Sequence, residues 1–169
     1  MQGSLDSALT AHGEAQARAM GELLRREGAA GLPAYTSPQG RAARTAELAL
    51  GPDRARPDPR LREIGVGSFE GRLLDELRSE LPFLFSEEGP LDWYFEVPDG
   101  EGYEALRARA ASFLSELDGP AVVVCHGITA RVLRGLALGL DRGGMLDLPG
   151  GQGRVWRIAD GRHEVLTPS

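Results

Sequence analysis

The chain has 169 residues, of which 41% are hydrophobic, so it is long enough for one domain with a buried core. Its 25 acidic residues outnumber its 19 basic residues, and the net charge of −6 argues against nucleic acid or an anionic membrane as the main partner. The single cysteine, Cys125, excludes an internal disulfide, and no apolar run approaches the roughly 20 residues that span a bilayer. We therefore predict a single cytoplasmic domain over residues 1–169, since no secretory signal opens the chain.

The first elements are predicted from apolar spacing and turn residues. A helix should run from Thr10, a candidate N-cap, to near Gly28, because small and apolar residues recur every four positions along it. Residues 32–36 form a short candidate strand, and a second helical pattern occupies residues 41–50. Residues 54–59 are rich in proline and charge, so we expect a loop there with at most a weak edge strand.

The second half of the chain contains the clearest strand. Residues 101–117 and 127–140 have helical spacing, and residues 121–125 between them include three consecutive valines. An apolar run without polar alternation is typical of a strand covered on both faces, as in a parallel sheet. Residues 154–158 and 164–166 should form a closing hairpin. We predict an α/β fold with three layers and a mostly parallel central sheet.

A histidine follows the valine strand where the next helix begins. In open α/β sheets, ligands bind at the carboxyl ends of the strands, and the first amides of a helix favour an anion. His126 is therefore a candidate site residue. The alternative is a histidine that caps the helix or bonds within the core. Cys125 next to it suggests a thiol nucleophile, but adjacent strand residues point to opposite faces, which disfavours a catalytic pair.

Two further segments carry candidate residues. Arg41 lies in the first turn of a helix, where a cation is poorly matched to the helix dipole unless it binds something negative, such as phosphate. An exposed arginine without a ligand is the alternative. Glu63 and Glu70 lie among glycines, where a carboxylate could act as a general acid, although a surface loop fits the same pattern.

Taken in order, these segments resemble the histidine phosphatase superfamily, in its branch of phosphatases similar to cofactor-dependent phosphoglycerate mutase. The family patterns are S-x-x-x-R-A-x-x-T-A, L-x-E-x-x-x-G-x-x-E-G, P-x-G-E-x-Y and V-V-x-H-G. The matching residues here are Ser37, Arg41, Ala42, Thr45 and Ala46; Leu61, Glu63, Gly67, Glu70 and Gly71; Pro98, Gly100, Glu101 and Tyr103; Val123, Val124, His126 and Gly127. The opening residues 2–10 also resemble the family's Q-G-x-x-D-x-P-L-T segment, with Ala8 in place of proline.

One family motif has no match. The family's first strand ends in R-H-G, whose histidine attacks phosphorus, and it lies upstream of the segment that Gln2 begins here. His12, in an Ala-His-Gly-Glu stretch, is not a substitute, because it follows a helix cap and no strand precedes it. We therefore expect the nucleophilic strand to be missing from the sequence given, and translation from an internal methionine, Met1, is the simplest explanation.

The resemblance implies roles for four residues. Glu63 is expected to protonate the leaving oxygen and then activate water, Arg41 and His126 to hold the phosphoryl oxygens, and Gln2 to bind substrate or phosphate, with Glu70 structural. The substrate is expected to be a small phosphomonoester, with a phosphatase favoured over a mutase because the chain is short. No cofactor or metal is required, and the histidines show no metal-ligand spacing.

The sequence is compatible with more than one function, aromatic arrangement and way of completing the sheet. A non-catalytic phosphate-binding or interaction domain of the same fold is the alternative function, because the chain lacks the nucleophile. The aromatic residues of segment 81–97 form either a lid over the pocket or part of the core. Since the missing strand is central in the family's sheet, we expect either a homodimer or a rearranged segment 2–9 to compensate for it.

Overall fold

The computed structural model describes residues 2–3, 5–85 and 89–167. Its helices are α1 (Ala11–Arg26), α2 (Gly40–Leu50), α3 (Leu74–Glu80), α4 (Trp93–Glu96), α5 (Gly102–Ser115), α6 (Gly127–Leu138) and α7 (Arg142–Asp147). Its strands are β1 (Ala34–Thr36), β2 (Arg56–Pro57), β3 (Val122–Val124), β4 (Val155–Ala159) and β5 (Arg162–Leu166). Short 3₁₀ turns lie at Pro59–Leu61, Gly67–Phe69 and Pro82–Leu84.

The first helix begins and ends as its sequence predicts. The Thr10 hydroxyl accepts a hydrogen bond from the Gly13 N–H at 3.1 Å, which satisfies one free amide of the first turn. Arg25 and Arg26 lie in the last turn, where positive charge suits the helix dipole. Gly21 allows α1 to lie directly against α2: a Cβ there would be 2.2 Å from the carbonyl oxygen of Ala49.

The central sheet is parallel, with strand order β2-β1-β3, which confirms the predicted α/β fold. Side chains alternate along β1, so its two faces meet different helices. Tyr35 packs edge-on against Phe113 of α5, with ring centroids 5.3 Å apart. On the sheet's other side, α2 packs against β1 and β3. The helices thus form layers on both sides of the sheet, and β2 is the edge strand expected within residues 54–59.

Helices lie on both faces of the valine strand as predicted, since α2 contacts β3 and Val123 packs against the core between α5 and α6, but the strand is not fully covered. Val122, Val123 and Val124 are all only half-buried. The reason is that β3 pairs with β1 along one edge, while no strand among residues 2–3, 5–85 and 89–167 pairs along its other edge. Val122 and Val124 direct backbone groups toward β1, so those of Val123 face the unpaired edge.

The predicted closing hairpin is present as a separate two-stranded sheet, β4 and β5. Asp160 and Gly161 form its turn with φ of 51° and 71°, the positive values that a type I′ turn requires. Arg134 of α6 holds the hairpin, because its guanidinium lies 4.4 Å from the Trp156 ring centroid and bonds the His163 Nε2 at 3.0 Å.

The main apolar core lies between α5, α6 and the segments that precede them. Its largest fully buried side chains include Phe113, Leu61, Ile64, Leu77 and Leu106. Of segment 81–97, residues 86–88 lie outside the described part. Trp93 and Phe95 are 2% and 8% exposed, so for these two rings the core alternative is correct and the lid hypothesis is wrong. Within the described residues, no helix has the length and hydropathy to cross a membrane.

Candidate active site

A serine and a histidine meet at the carboxyl end of the parallel sheet. Ser37 directly follows β1, and His126 lies two residues beyond β3. Because the two strands are parallel neighbours, their carboxyl ends lie at the same edge. The His126 Nε2 is 2.8 Å from the Ser37 hydroxyl oxygen, and Ser37 is fully buried. This hydrogen bond fixes the orientation of the imidazole.

The His126 imidazole is neutral at pH 7. Burial lowers its pKa to about 4, and the nearby positive charge of Arg41 acts in the same direction, while Asp6 partly opposes it. A neutral imidazole offers one donor and one acceptor. His126 is therefore suited to hydrogen bonding with a phosphoryl oxygen rather than to charge pairing in the unliganded chain.

The Glu63 carboxylate lies at the amino end of α6, the helix that begins directly after His126. Its Oε1 accepts a hydrogen bond from the Thr129 N–H at 3.0 Å and lies 3.1 Å from the Thr129 hydroxyl. Its Oε2 accepts one from the Ile128 N–H at 3.3 Å. These amides are free donors at a helix start, and the dipole favours a carboxylate there. The structure thus brings Glu63 and His126 to one site, although they are far apart in sequence.

Arg41 also lies at this site, and oxygen atoms of the opening segment bind its guanidinium. Its guanidinium donates to the carbonyl oxygens of Leu5 at 2.5 Å and Gly3 at 3.0 Å, and lies 3.3 Å from the Asp6 carboxylate. Its side chain is 15% exposed. The negative partners of this first-turn arginine are therefore oxygens of the opening segment, and a phosphate would have to replace them. Its role in binding phosphate stays a prediction.

The Asp6 carboxylate occupies the position expected for an anion at the start of α2. It accepts hydrogen bonds from the N–H groups of Gly40 and Arg41. Burial alone would raise the pKa of Asp6, but the hydrogen bonds from the backbone of Arg41, Gly40 and Ser7 and from the Arg41 side chain together lower it. Asp6 therefore caps α2, which is 34 residues away in sequence, and holds segment 5–7 beside the site.

Gln2 does not reach the other candidates with its side chain. It is exposed, and its Nε2 donates to the Ser7 hydroxyl at 2.6 Å within the opening segment. Its neighbour Gly3 is buried and provides the carbonyl oxygen that Arg41 binds. Met1 and Ser4 lie outside the described residues. Glu70 lies beside Gly3, at a position where a Cβ on the glycine would contact its carboxylate.

The alternative nucleophiles are not available. Burial raises the pKa of the Cys125 thiol to about 12, so it stays protonated at neutral pH and is a poor nucleophile. His12 is exposed on α1. His163 lies on β5 against Arg134. Within residues 2–3, 5–85 and 89–167, His126 is therefore the one histidine at this edge of the sheet.

Sequence reasoning gave no role to four residues that the structure places at the site. Gln39 contacts the backbone of Gly3 and Glu63, and Thr129 contacts the Glu63 carboxylate. Tyr94 is stacked on Trp93, and its pKa is raised by burial and by the charge of Glu63. Burial lowers the pKa of Arg131, whose charge also acts on Tyr94. For three of the four, the sequence gives no local signal. Thr129 lies in the first turn of the helix predicted after His126, and this helix start is the one sequence feature that indicates it.

Comparisons with known proteins agree with this arrangement. The family model described as histidine phosphatase superfamily (branch 1) matches residues 1–165. The Klebsiella pneumoniae protein named "Probable phosphoglycerate mutase GpmB" is 38% identical over 157 residues, covering 83% of this chain and 67% of that protein. Rat "6-phosphofructo-2-kinase/fructose-2,6-bisphosphatase 1" is 32% identical over 139 residues, covering 81% of this chain and 29% of that protein.

A solved structure extends the match to the fold. Bacillus stearothermophilus YhfR is 30% identical and superposes with a TM-score of 0.76, covering 99% of this chain and 87% of that chain. The shared sheet, the residues at its carboxyl edge and the family match point to one assignment. The chain belongs to branch 1 of the histidine phosphatase superfamily.

Proposed function

We propose that this chain is the body of a phosphatase that hydrolyses a small phosphomonoester through a phosphohistidine. The observation that carries the proposal is the Glu63 carboxylate, held at the start of α6 beside the His126–Ser37 pair. A carboxyl group and an imidazole at one edge of the sheet suit proton transfer and binding of phosphoryl oxygens. Membership of the superfamily supports the same chemistry.

Each residue has a defined task in this mechanism. Arg41 exchanges the Gly3 and Leu5 carbonyls for phosphoryl oxygens, since a guanidinium binds phosphate through charge-assisted hydrogen bonds. The His126 imidazole hydrogen-bonds another of these oxygens. Glu63 protonates the leaving oxygen in the first step, and its carboxylate accepts a proton from water in the second.

The phosphoryl acceptor is a histidine outside the sequence given, on a strand that resembles the family's R-H-G strand. The unpaired edge of β3 supports this part of the proposal, because it adjoins the site and ends at His126. A parallel strand along that edge would bring its carboxyl end to Glu63 and Arg41. Without it, the chain as given is expected to be inactive.

Hydrolysis of aryl phosphates tests the proposal. The chain as given should release phosphate at the background rate, and the chain extended by an upstream strand ending in Arg-His-Gly should be active. In the extended chain Glu63→Gln should lower the rate about 10²–10⁴-fold, with poor leaving groups affected most. Clear activity of the chain as given that survives His126→Ala would overturn this account.

The alternative is a non-catalytic phosphate-binding domain of the same fold. It is favoured by the lack of a second histidine at the site within the described residues. The codons upstream of Met1 distinguish the two functions: an in-frame strand ending in Arg-His-Gly supports the enzyme, and a stop codon supports the binding domain.

The extended chain also separates a phosphatase, which releases inorganic phosphate, from a mutase, which isomerises its substrate.

A further inference from the structure

Gln39 links the opening segment to the peptide group of Glu63. Its Oε1 accepts a hydrogen bond from the Glu63 N–H at 2.7 Å, and its Nε2 donates to the Gly3 carbonyl at 2.8 Å. Although Gln39 precedes α2 as its N-cap residue, its side chain makes no bond to that helix. The amide thus joins two segments that are 24 and 36 residues away from it in sequence.

The partners of Gln39 determine which way its amide faces. A backbone N–H can only donate, and a carbonyl oxygen can only accept, so Oε1 must face Glu63 and Nε2 must face Gly3. Methionine has a similar length but would lose both bonds. Glutamate keeps an acceptor for the Glu63 N–H and loses the donor to Gly3. The two substitutions therefore separate the two contacts.

Glu63 is held from two directions. Its carboxylate is bonded by the first amides of α6, and its backbone N–H is bonded by Gln39. Gln39 also lies beside the serine that orients His126, because its N–H donates to the Ser37 hydroxyl at 3.3 Å. The loop between β1 and α2 thus contacts Glu63 through Gln39 and His126 through Ser37.

We propose that Gln39 is a positioning residue that fixes the Glu63 carboxylate against α6 and beside His126. The inference rests on the proposed function, since it assigns Gln39 to the placement of the proton donor. It does not make Gln39 a catalytic residue, because its contacts are to Gly3, Ser37 and Glu63 rather than to a reacting group.

Amide hydrogen exchange, measured by NMR on the chain as given, tests this role. In Gln39→Met the Glu63 amide should exchange about tenfold faster, as expected for one lost hydrogen bond. The Thr129 amide, which bonds the Glu63 carboxylate and not Gln39, should also exchange faster. Gln39→Glu should restore the protection of both amides, and Gln152→Met, at an exposed glutamine, should change neither.

Unchanged exchange at Glu63 and Thr129 in Gln39→Met would overturn the inference. A uniform loss of protection that includes Val132, buried further along α6, would overturn it as well, because it would indicate general destabilisation. A parallel titration with inorganic phosphate keeps the two proposals separate. Failure to bind phosphate contradicts the proposed function, whereas the exchange pattern decides the role of Gln39.

Discussion

The neutral His126 should make the stability of the chain depend on pH. In the folded state its pKa is about 4, against an ordinary value of 6.5. Between these values the unfolded chain binds a proton that the folded chain does not, so the free energy of unfolding rises with pH. Lowering the pH from 6.5 to 4 should remove up to about 3 kcal/mol through this residue alone.

Urea unfolding of variants across this pH range isolates the effect. His126→Asn should reduce the slope between pH 6.5 and pH 4, because its contribution is lost while His163 and Glu101, whose pKa values are also lowered, still contribute. His12→Asn is the matched control, since His12 is exposed, and it should keep the wild-type slope. Equal slopes in the wild type and His126→Asn would show that His126 does not titrate as described.

The contacts of Arg41 show the limit of sequence reasoning at the residue scale. Its position in a first turn correctly indicated a negative partner, but the partners are Asp6 and carbonyl oxygens about 35 residues away. The same applies to Gln39 and Glu63, whose hydrogen bond depends on how two loops meet. Local patterns indicate which groups need a partner, and only the fold determines which partner they find.

At the scale of elements, the packing of α1 against α2 depends on a single glycine. Gly21→Ala should lower the free energy of unfolding by about 1–3 kcal/mol, because the new Cβ would overlap the backbone of Ala49 and force the helices apart. Gly31→Ala, with nothing near its Cβ position, should be neutral or slightly stabilising. Thermal unfolding measures both, and equal effects would contradict the close packing of the two helices.

Most elements were predictable because their signals are local. Apolar spacing, Thr10 as a cap and Asp160-Gly161 as a turn gave α1, α2, α5, α6 and the hairpin to within a few residues. The incomplete burial of the valine strand could not be predicted, because the strands beside it depend on residues that are distant in sequence. The aromatic segment was ambiguous for the same reason, and the fold placed Trp93 and Phe95 in the core.

At the scale of the whole molecule, the unpaired edge of β3 leads to a prediction about association. The backbone groups of Val123 face this edge, and half-buried valines flank them. An exposed strand edge is a template for pairing, and a two-fold arrangement satisfies both copies with the same contacts. We therefore expect the chain as given to form a dimer through β3 at micromolar concentration.

Light scattering on the purified chain measures this association. Val123→Pro removes the donor at the free edge and leaves the Val122 and Val124 bonds to β1 intact, so it should weaken the dimer. In the extended chain the upstream strand should itself pair with the Val123 N–H, so there the same proline should destabilise the fold. A stable monomer at micromolar concentration would show that the unpaired edge matters less than we infer.

We propose that Arg41, Glu63 and His126 form one phosphate site at the carboxyl edge of the sheet. Calorimetric titration of the chain with inorganic phosphate measures binding at this site. We predict saturable binding that Arg41→Ala weakens about tenfold or more, as expected for loss of a charge-assisted hydrogen bond. Arg44→Ala, one turn along α2 and paired with Glu14 and Glu47, should leave the affinity unchanged. No binding, or equal weakening by both substitutions, would contradict the claim.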